Sequence, residues 1–118
     1  MEKLRFDDID IEFAASLYCS DDPDEALFPL LDHYTSLYDT YVEENNPQGH
    51  EKQVMDASYF SMWHIVAKVC PNYLTEIAER YEGTKMMQMI RFYNRKFKRM
   101  NDPTMVLNLD EVKPNERS

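Results

Sequence analysis

The stretch from residue 83 to residue 101, GTKMMQMIRFYNRKFKRMN, decides the fold. Its apolar residues recur every three or four positions, which is the spacing of one face of an α-helix: Met86, Ile90, Tyr93, Phe97 and Met100. Gly83 is a typical residue after the end of a helix, and Thr84 is a typical N-cap. The sequence therefore predicts a last helix from Thr84 to about Asn101, some 27 Å long, which Asp102-Pro103 ends.

The opposite side of this predicted helix is basic. It carries four cations, Arg91, Arg95, Lys98 and Arg99, and Phe92 lies in the same sector. A large ring among arginines is typical of an interaction hot spot or of a platform on which bases stack. The alternative is that a neighbouring helix or the chain's tail covers Phe92, while the arginines pair with acidic residues elsewhere. The methionines at 86, 87 and 89 fit either a core or an adaptable binding surface.

An earlier segment predicts a long helix with an acidic face. Asp22-Pro23-Asp24-Glu25 supplies an N-cap carboxylate and a proline at the first helical position. The helix should run to about Glu44, with a kink or a new start at Pro29. Its predicted apolar stripe is Leu30, Tyr34, Leu37 and Tyr41. On the opposite side we expect an acidic face formed by Glu25, Asp32, Asp39 and Glu43.

The remaining segments are also mainly helical. After a loop at 45–49, a third helix is predicted over 51–70, with Met55, Tyr59, Met62, Val66 and Val69 buried. A short fourth helix is predicted over 71–82. The spacing of Ile9, Phe13 and Leu17 suits a helix over 8–17, but the alternation of Ile9, Ile11 and Phe13 also suits a short strand.

The fold class that these patterns predict is all-α, a single small bundle of four to five amphipathic helices. A chain of 118 residues corresponds to one domain, and its 43% hydrophobic content is enough for one core. We expect the helical domain to cover residues 1–103. Residues 104–118 are predicted to form a frayed and partly disordered C-terminal tail.

Charge is distributed very unevenly along this acidic protein. The formal net charge is −9. Residues 1–56 carry fifteen acidic and only three basic side chains, whereas residues 84–101 carry six basic side chains and no acidic one. An acidic half joined to one basic segment is the most informative feature of this sequence.

The sequence offers no convincing site for a metal, a cofactor or catalysis. The histidines at 33, 50 and 64 lack ligand spacing, and we expect three separate surface histidines. A calcium loop needs glycine at its sixth position, where the acidic runs beginning at Asp8 and Asp21 have Phe13 and Ala26.

Cys70 precedes Pro71 and could lie at a helix N-terminus, where the dipole lowers a thiol pKa. We expect a buried cysteine at a helix junction there, free thiols at Cys70 and Cys19, and no enzyme.

These observations favour a non-enzymatic protein–protein interaction module, such as a small adaptor, regulator or inhibitor, that uses a charged helix face. The acidic and basic faces could also pair between two copies of the chain. The alternative is interference with nucleic-acid machinery, either by an acidic face that mimics DNA or through the basic helix 84–101. Direct nucleic-acid binding is opposed by the net charge.

We expect a cytoplasmic protein without a membrane association, because residues 1–8 lack the apolar stretch of a secretory signal and no run of 18 apolar residues occurs. Small acidic helical proteins without motifs are frequent among phage and mobile-element products, and a phage or mobile-element origin rests on this analogy alone.

Overall fold

The structure, a computed structural model, describes residues 8–109, and these form an all-α bundle as predicted. The helices are α1 (Ile9–Tyr18), α2 (Pro23–Asn45), α3 (Gly49–Val69), α4 (Leu74–Arg80) and α5 (Lys85–Arg99). A 3-10 turn, Pro71–Tyr73, joins α3 to α4. Residues 8–109 contain no strand.

The segment that suited either a helix or a strand is helical. Ile9, Phe13 and Leu17, which are spaced four residues apart, are all buried on one side of α1. Ile11, which a strand would have placed on the same side, is exposed. The helical interpretation is therefore correct and the strand interpretation is wrong. Residues spaced four apart lie on one side of a helix, and α1 packs against α2 and α3 with that side.

Helix α2 begins as predicted and continues through Pro29. The Asp22 carboxylate accepts a hydrogen bond from the Glu25 N–H at 3.4 Å, and Pro23 is the first helical residue. Pro29 neither ends nor restarts the helix; it lies on the exposed side, where water can reach the carbonyl that proline leaves unpaired. At the other end Asn46 adopts a left-handed conformation, with φ at 45°, and closes the helix.

The buried stripe of α2 differs from the predicted one. The side chains buried in the core are Leu27, Leu31, Tyr34, Thr35 and Tyr38. Of the predicted stripe only Tyr34 is buried, and Leu30, Leu37 and Tyr41 are half-buried at its edge. The core stripe is rotated because α2 packs against α1 on one side and α5 on the other, so its apolar surface spans two neighbouring rows of side chains.

Helix α3 supplies the centre of the core. Met55, Tyr59, Met62 and Val66 are buried as predicted, while Val69 is half-buried at the C-terminus. The helix begins at Gly49, two residues earlier than expected, and ends at Val69. The large buried side chain Trp63 packs edge-to-face against Tyr81, with ring centroids 6.3 Å apart.

Four helices surround this core. Helices α1 and α5 each pack against both α2 and α3. Between α2 and α3, the rings of Tyr38 and Tyr59 meet edge-to-face with centroids 4.9 Å apart. The methionines at 86, 87 and 89 are all buried, so these three side chains belong to the core. The outer side of α5 is left at the molecular surface.

Part of the predicted tail packs onto the bundle. Leu107 and Leu109 are buried in the core. The buried Asn94 side chain accepts a hydrogen bond from the Leu107 N–H at 2.6 Å and donates one to the Leu107 carbonyl at 2.9 Å. Residues 104–109 therefore continue the packed structure past residue 103, and the rest of the predicted tail, 110–118, lies outside the described residues. Among residues 8–109, every helix is too short or too polar to cross a lipid bilayer.

Candidate interaction surface

Helix α5 is fixed at its N-terminus by two side chains. The Thr84 hydroxyl accepts a hydrogen bond from the Met87 N–H at 3.1 Å, as predicted for the N-cap. Gly83 precedes it with φ at 94°, a left-handed conformation that only glycine adopts easily. The Asp39 carboxylate, from α2, accepts hydrogen bonds from the N–H groups of Lys85 at 3.2 Å and Met86 at 2.9 Å. These contacts set the rotation of α5 and thus which side chains face outward.

Phe92 lies on that outward side. Its side chain is 50% exposed, and its ring contacts Tyr93 edge-to-face with centroids 5.0 Å apart. Along the helix, Gln88, Phe92, Arg95 and Arg99 are separated by four, three and four residues, so they form one line of neighbouring side chains. An apolar ring therefore stands in a row of otherwise polar and cationic groups.

Arg91 does not belong to the free part of this basic face. Its guanidinium forms a two-pronged ion pair with Glu82, with Nε 3.1 Å from both carboxylate oxygens and Nη2 2.8 Å from Oε1. The Arg91 side chain is only 19% exposed. Arg91 thus ties α5 to the turn that precedes it, and its charge is already compensated within the chain.

The other three predicted cations of α5 differ from Arg91. Arg95, Lys98 and Arg99 are exposed. Within residues 8–109, no carboxylate lies within ion-pair distance of any of the three. Together with Phe92 they form what we call the basic face of α5.

The predicted acidic face of α2 divides into two kinds of residue. Glu25 and Glu43 are exposed near opposite ends of the helix. Asp32 instead accepts a hydrogen bond from the Tyr81 hydroxyl at 2.7 Å, and its other oxygen lies 3.8 Å from the Arg80 guanidinium. Asp39 binds the N-terminus of α5 as described above. Two of the four acids therefore face other helices of the same chain.

The histidines are separate from one another, but they are not all at the surface as expected. His33 and His50 are exposed, whereas His64, which lies on α3, is half-buried beside the segment 104–109. Its Nε2 lies 3.1 Å from the Met105 carbonyl oxygen. Burial lowers the pKa of His64, and Lys68 lowers it further, against the effect of the hydrogen bond with Met105. No group of three metal-binding side chains occurs in the described part of the chain.

Cys70 lies at the predicted helix junction but is only half-buried. It ends α3 and begins the 3-10 turn. Burial and the nearby Asp24 carboxylate raise the pKa of the Cys70 thiol. Both effects favour the neutral thiol, which is opposite in direction to the dipole effect that the sequence suggested as an alternative. Cys19 is exposed.

A buried polar cluster beside α5 was missed from the sequence. The Asp56 side chain is 2% exposed and accepts hydrogen bonds from the Tyr38 hydroxyl and from Lys52 Nζ, both at 2.7 Å. Burial and the Asp56 carboxylate raise the pKa of Tyr38. Burial and the nearby Asp56 carboxylate also raise the pKa of Tyr93. The available signal was Lys52 and Asp56 at helical i,i+4 spacing, with Asp56 next to the core residue Met55.

Comparisons with known proteins returned no match to a protein family, a curated protein or a solved structure.

Proposed function

We propose that the protein is a non-enzymatic helical module that binds another protein through the basic face of α5. The observation that carries this proposal is the half-exposed Phe92 ring in line with Arg95 and Arg99, cations without a carboxylate partner in residues 8–109. Aromatic and arginine side chains supply most hot-spot energy in protein interfaces. Packing within the bundle does not require this arrangement, since Phe92 could be polar without leaving a hole in the core.

The partner surface should be acidic, with an apolar depression for the Phe92 ring. Cations on an interface rim mainly accelerate association and select partners of opposite charge. An aromatic ring that becomes fully desolvated contributes more to the affinity itself. Binding should therefore weaken with salt, while the loss of the ring should weaken it at every salt concentration.

The first prediction tests this face directly. The full chain is used as bait in a native lysate, the captured protein is identified and purified, and its Kd is measured for each variant. The triple change Arg95→Glu, Lys98→Glu and Arg99→Glu should abolish binding. Phe92→Ala should weaken it by about 2 kcal/mol or more, which is about 30-fold.

The matched control reverses two exposed acids on α2, Glu25→Lys and Glu43→Lys, and should leave the affinity within about twofold. If the captured partner binds the triple variant and Phe92→Ala as tightly as the parent chain, the basic face is not the binding site. If the control alone removes binding, the exposed acids carry the interaction. Self-association through opposite faces would appear as a salt-sensitive change of mass in sedimentation of the purified chain.

The nucleic-acid alternative has two forms, a DNA mimic and direct binding through the basic face. The DNA mimic is disfavoured, because two of the four acids predicted for it, Asp32 and Asp39, already bind groups of their own chain. Direct contact through the basic face is favoured by the exposed Phe92 ring, since rings beside arginines stack on unpaired bases. The net charge of −9 opposes it. We expect no binding of a single-stranded oligonucleotide in fluorescence anisotropy at physiological salt.

A further inference from the structure

We propose that the groove beside the basic face, between α5 and α3, holds an acidic amphipathic helix of the protein partner. This inference rests on the proposed function, because it assigns the shape and chemistry of the partner segment. The groove is a second contact surface, which lies next to Phe92 and extends along α5 toward residue 97.

The groove contains two neighbouring cavities separated by Tyr93. The first, about 380 Å³, lies where α2, α3 and α5 meet and is bordered by Val42, Met89 and Phe92. The second, about 300 Å³, lies between α3 and α5 and is bordered by Ala57, Phe60 and Phe97. Tyr93 borders both cavities. Each is large enough to receive one apolar side chain of a partner.

The spacing of the two cavities fits a helix. From Met89 to Phe97 the chain advances eight residues, about 12 Å along α5. Two side chains seven positions apart on a bound helix are about 10.5 Å apart. A partner helix lying along α5 would therefore place one apolar residue in each cavity, with Tyr93 between them. Amphipathic helices commonly bind grooves through anchors at such spacings.

The charges at the groove select an acidic helix. Lys85 borders the first cavity and Lys96 the second, and both are exposed. In the described part of the chain, no carboxylate lies within ion-pair distance of either ammonium group. Lys96 Nζ lies 5.9 Å from the Tyr93 ring centroid, so its charge is held over the boundary between the cavities. The polar side of a bound helix would meet these two cations.

The acid at the base of the groove does not reverse this preference. Asp56 borders the second cavity, but its carboxylate is already bound by Lys52 Nζ at 2.7 Å and by the Tyr38 hydroxyl. The charges of Asp56 and Lys52 cancel, and Asp39, the other nearby acid, is bound to the N-terminus of α5. A basic helix would therefore meet uncompensated cations and no available anion.

The test uses variants that alter the groove and leave the residues of the basic face unchanged. Ala57 is exposed at the rim of the second cavity, so Ala57→Trp fills this cavity without changing the charge. Lys96→Glu reverses one rim cation. The matched control, Ala15→Trp, places the same ring at an exposed alanine of α1. Thermal unfolding of each variant confirms that it is folded. The probe is a displayed library of 16-residue peptides with random sequence, selected against the full chain.

We expect the selected peptides to be acidic and to carry two apolar residues seven positions apart. Ala57→Trp and Lys96→Glu should each weaken a selected peptide at least tenfold, and Ala15→Trp less than twofold. A selection that yields basic peptides, peptides without the apolar pair or no binders overturns the proposal, as does competition by a single-stranded oligonucleotide. If the captured protein partner depends on Arg95 and Arg99 but binds the Ala57→Trp chain unchanged, the groove is wrong and the proposed function stands.

Discussion

The acidic face of α2 and the basic face of α5 look equivalent in the sequence, but the folded chain uses them differently. Of the four predicted acids, Asp32 and Asp39 bind groups on other parts of the same chain. Of the predicted cations, only Arg91 has an ion pair within residues 8–109. Half of the acidic face therefore contributes to the fold, whereas Arg95, Lys98 and Arg99 of the basic face stay exposed.

The difference has a physical cause in helix geometry. The N-terminus of α5 presents N–H groups without intrahelical acceptors, and a carboxylate stabilises both these groups and the helix dipole. Asp39 lies where it can meet them. The cations Lys96, Lys98 and Arg99 lie in the last turn of α5, where their charge is favourable without any contact to another side chain. A cation can therefore be stabilising and still be exposed.

The largest effect on stability should come from Asp39. Asp39→Ala removes two hydrogen bonds to a charged acceptor at the start of α5, and we expect a loss of about 2 kcal/mol in the free energy of unfolding. For a chain of this size that lowers Tm by about 8 °C. Calorimetry or denaturant unfolding measures it. Asp39→Asn keeps a hydrogen-bond acceptor but loses the charge, so its free energy of unfolding should lie between that of the parent chain and that of Asp39→Ala.

Glu43→Ala is the matched control on the same helix, because Glu43 is exposed. It should change the free energy of unfolding by less than about 0.5 kcal/mol. Equal effects of the two changes would mean that Asp39 does not hold the N-terminus of α5, and the division of the acidic face would be wrong.

Asp32 should have a smaller effect, of about 1 kcal/mol. Asp32→Ala removes the acceptor of the Tyr81 hydroxyl, a single hydrogen bond. The contact with Arg80 adds little, since both side chains are about half-exposed. A double-mutant cycle with Tyr81→Phe measures the coupling, which should account for most of the loss. An additive cycle would contradict the assignment.

The Tyr81 contact also predicts a dependence on alkaline pH. Burial, followed by the hydrogen bond and charge of Asp32, raises the pKa of Tyr81. The folded chain then keeps this phenol protonated while the unfolded chain ionises it near pH 10. The contribution to stability is thus complete below pH 10 and is lost as the pH rises above it. Tyr81→Phe should reduce the slope of stability against pH above pH 10, and an unchanged slope would refute the prediction.

Much of the helical architecture could be predicted because its signals are local. The N-cap at Thr84, the glycine at 83 and the four-residue spacing in α1 depend only on neighbouring residues. The buried stripe of α2 could not be placed correctly, because its two apolar rows are equally good locally and the positions of α1 and α5 decide between them. Tertiary packing overrides a local pattern in such cases.

The candidate site was predicted less completely. Phe92 and the cations of α5 were identified, since an apolar residue in a basic sector is visible in one helix. The engagement of Arg91 by Glu82, of Asp39 by α5 and of Asp56 by Tyr38 could not be predicted. Each joins residues from different elements or across a turn, and one carboxylate in a helical sequence resembles another until its neighbours in space are known.

The smallest effects on stability should come from the basic face itself. Arg95, Lys98 and Arg99 are exposed, and none has a carboxylate within ion-pair distance in residues 8–109. Reversal of all three to Glu should cost about 0.5 kcal/mol or less for each residue, largely by placing anions near the negative end of the helix dipole. Denaturant unfolding measures the sum, which should stay below the loss caused by Asp39→Ala.

Arg91→Glu provides the contrast within the same helix, because it sets two carboxylates against each other where the guanidinium now bonds to Glu82. It should cost more than any single change on the exposed cations. If the triple reversal instead destabilised the chain as much as Asp39→Ala, the cations would be part of the fold, and the loss of partner binding in that variant would follow from unfolding. A triple variant that keeps its Tm but loses its partner separates the two roles, since a surface that stability does not need is then shown to be needed for binding.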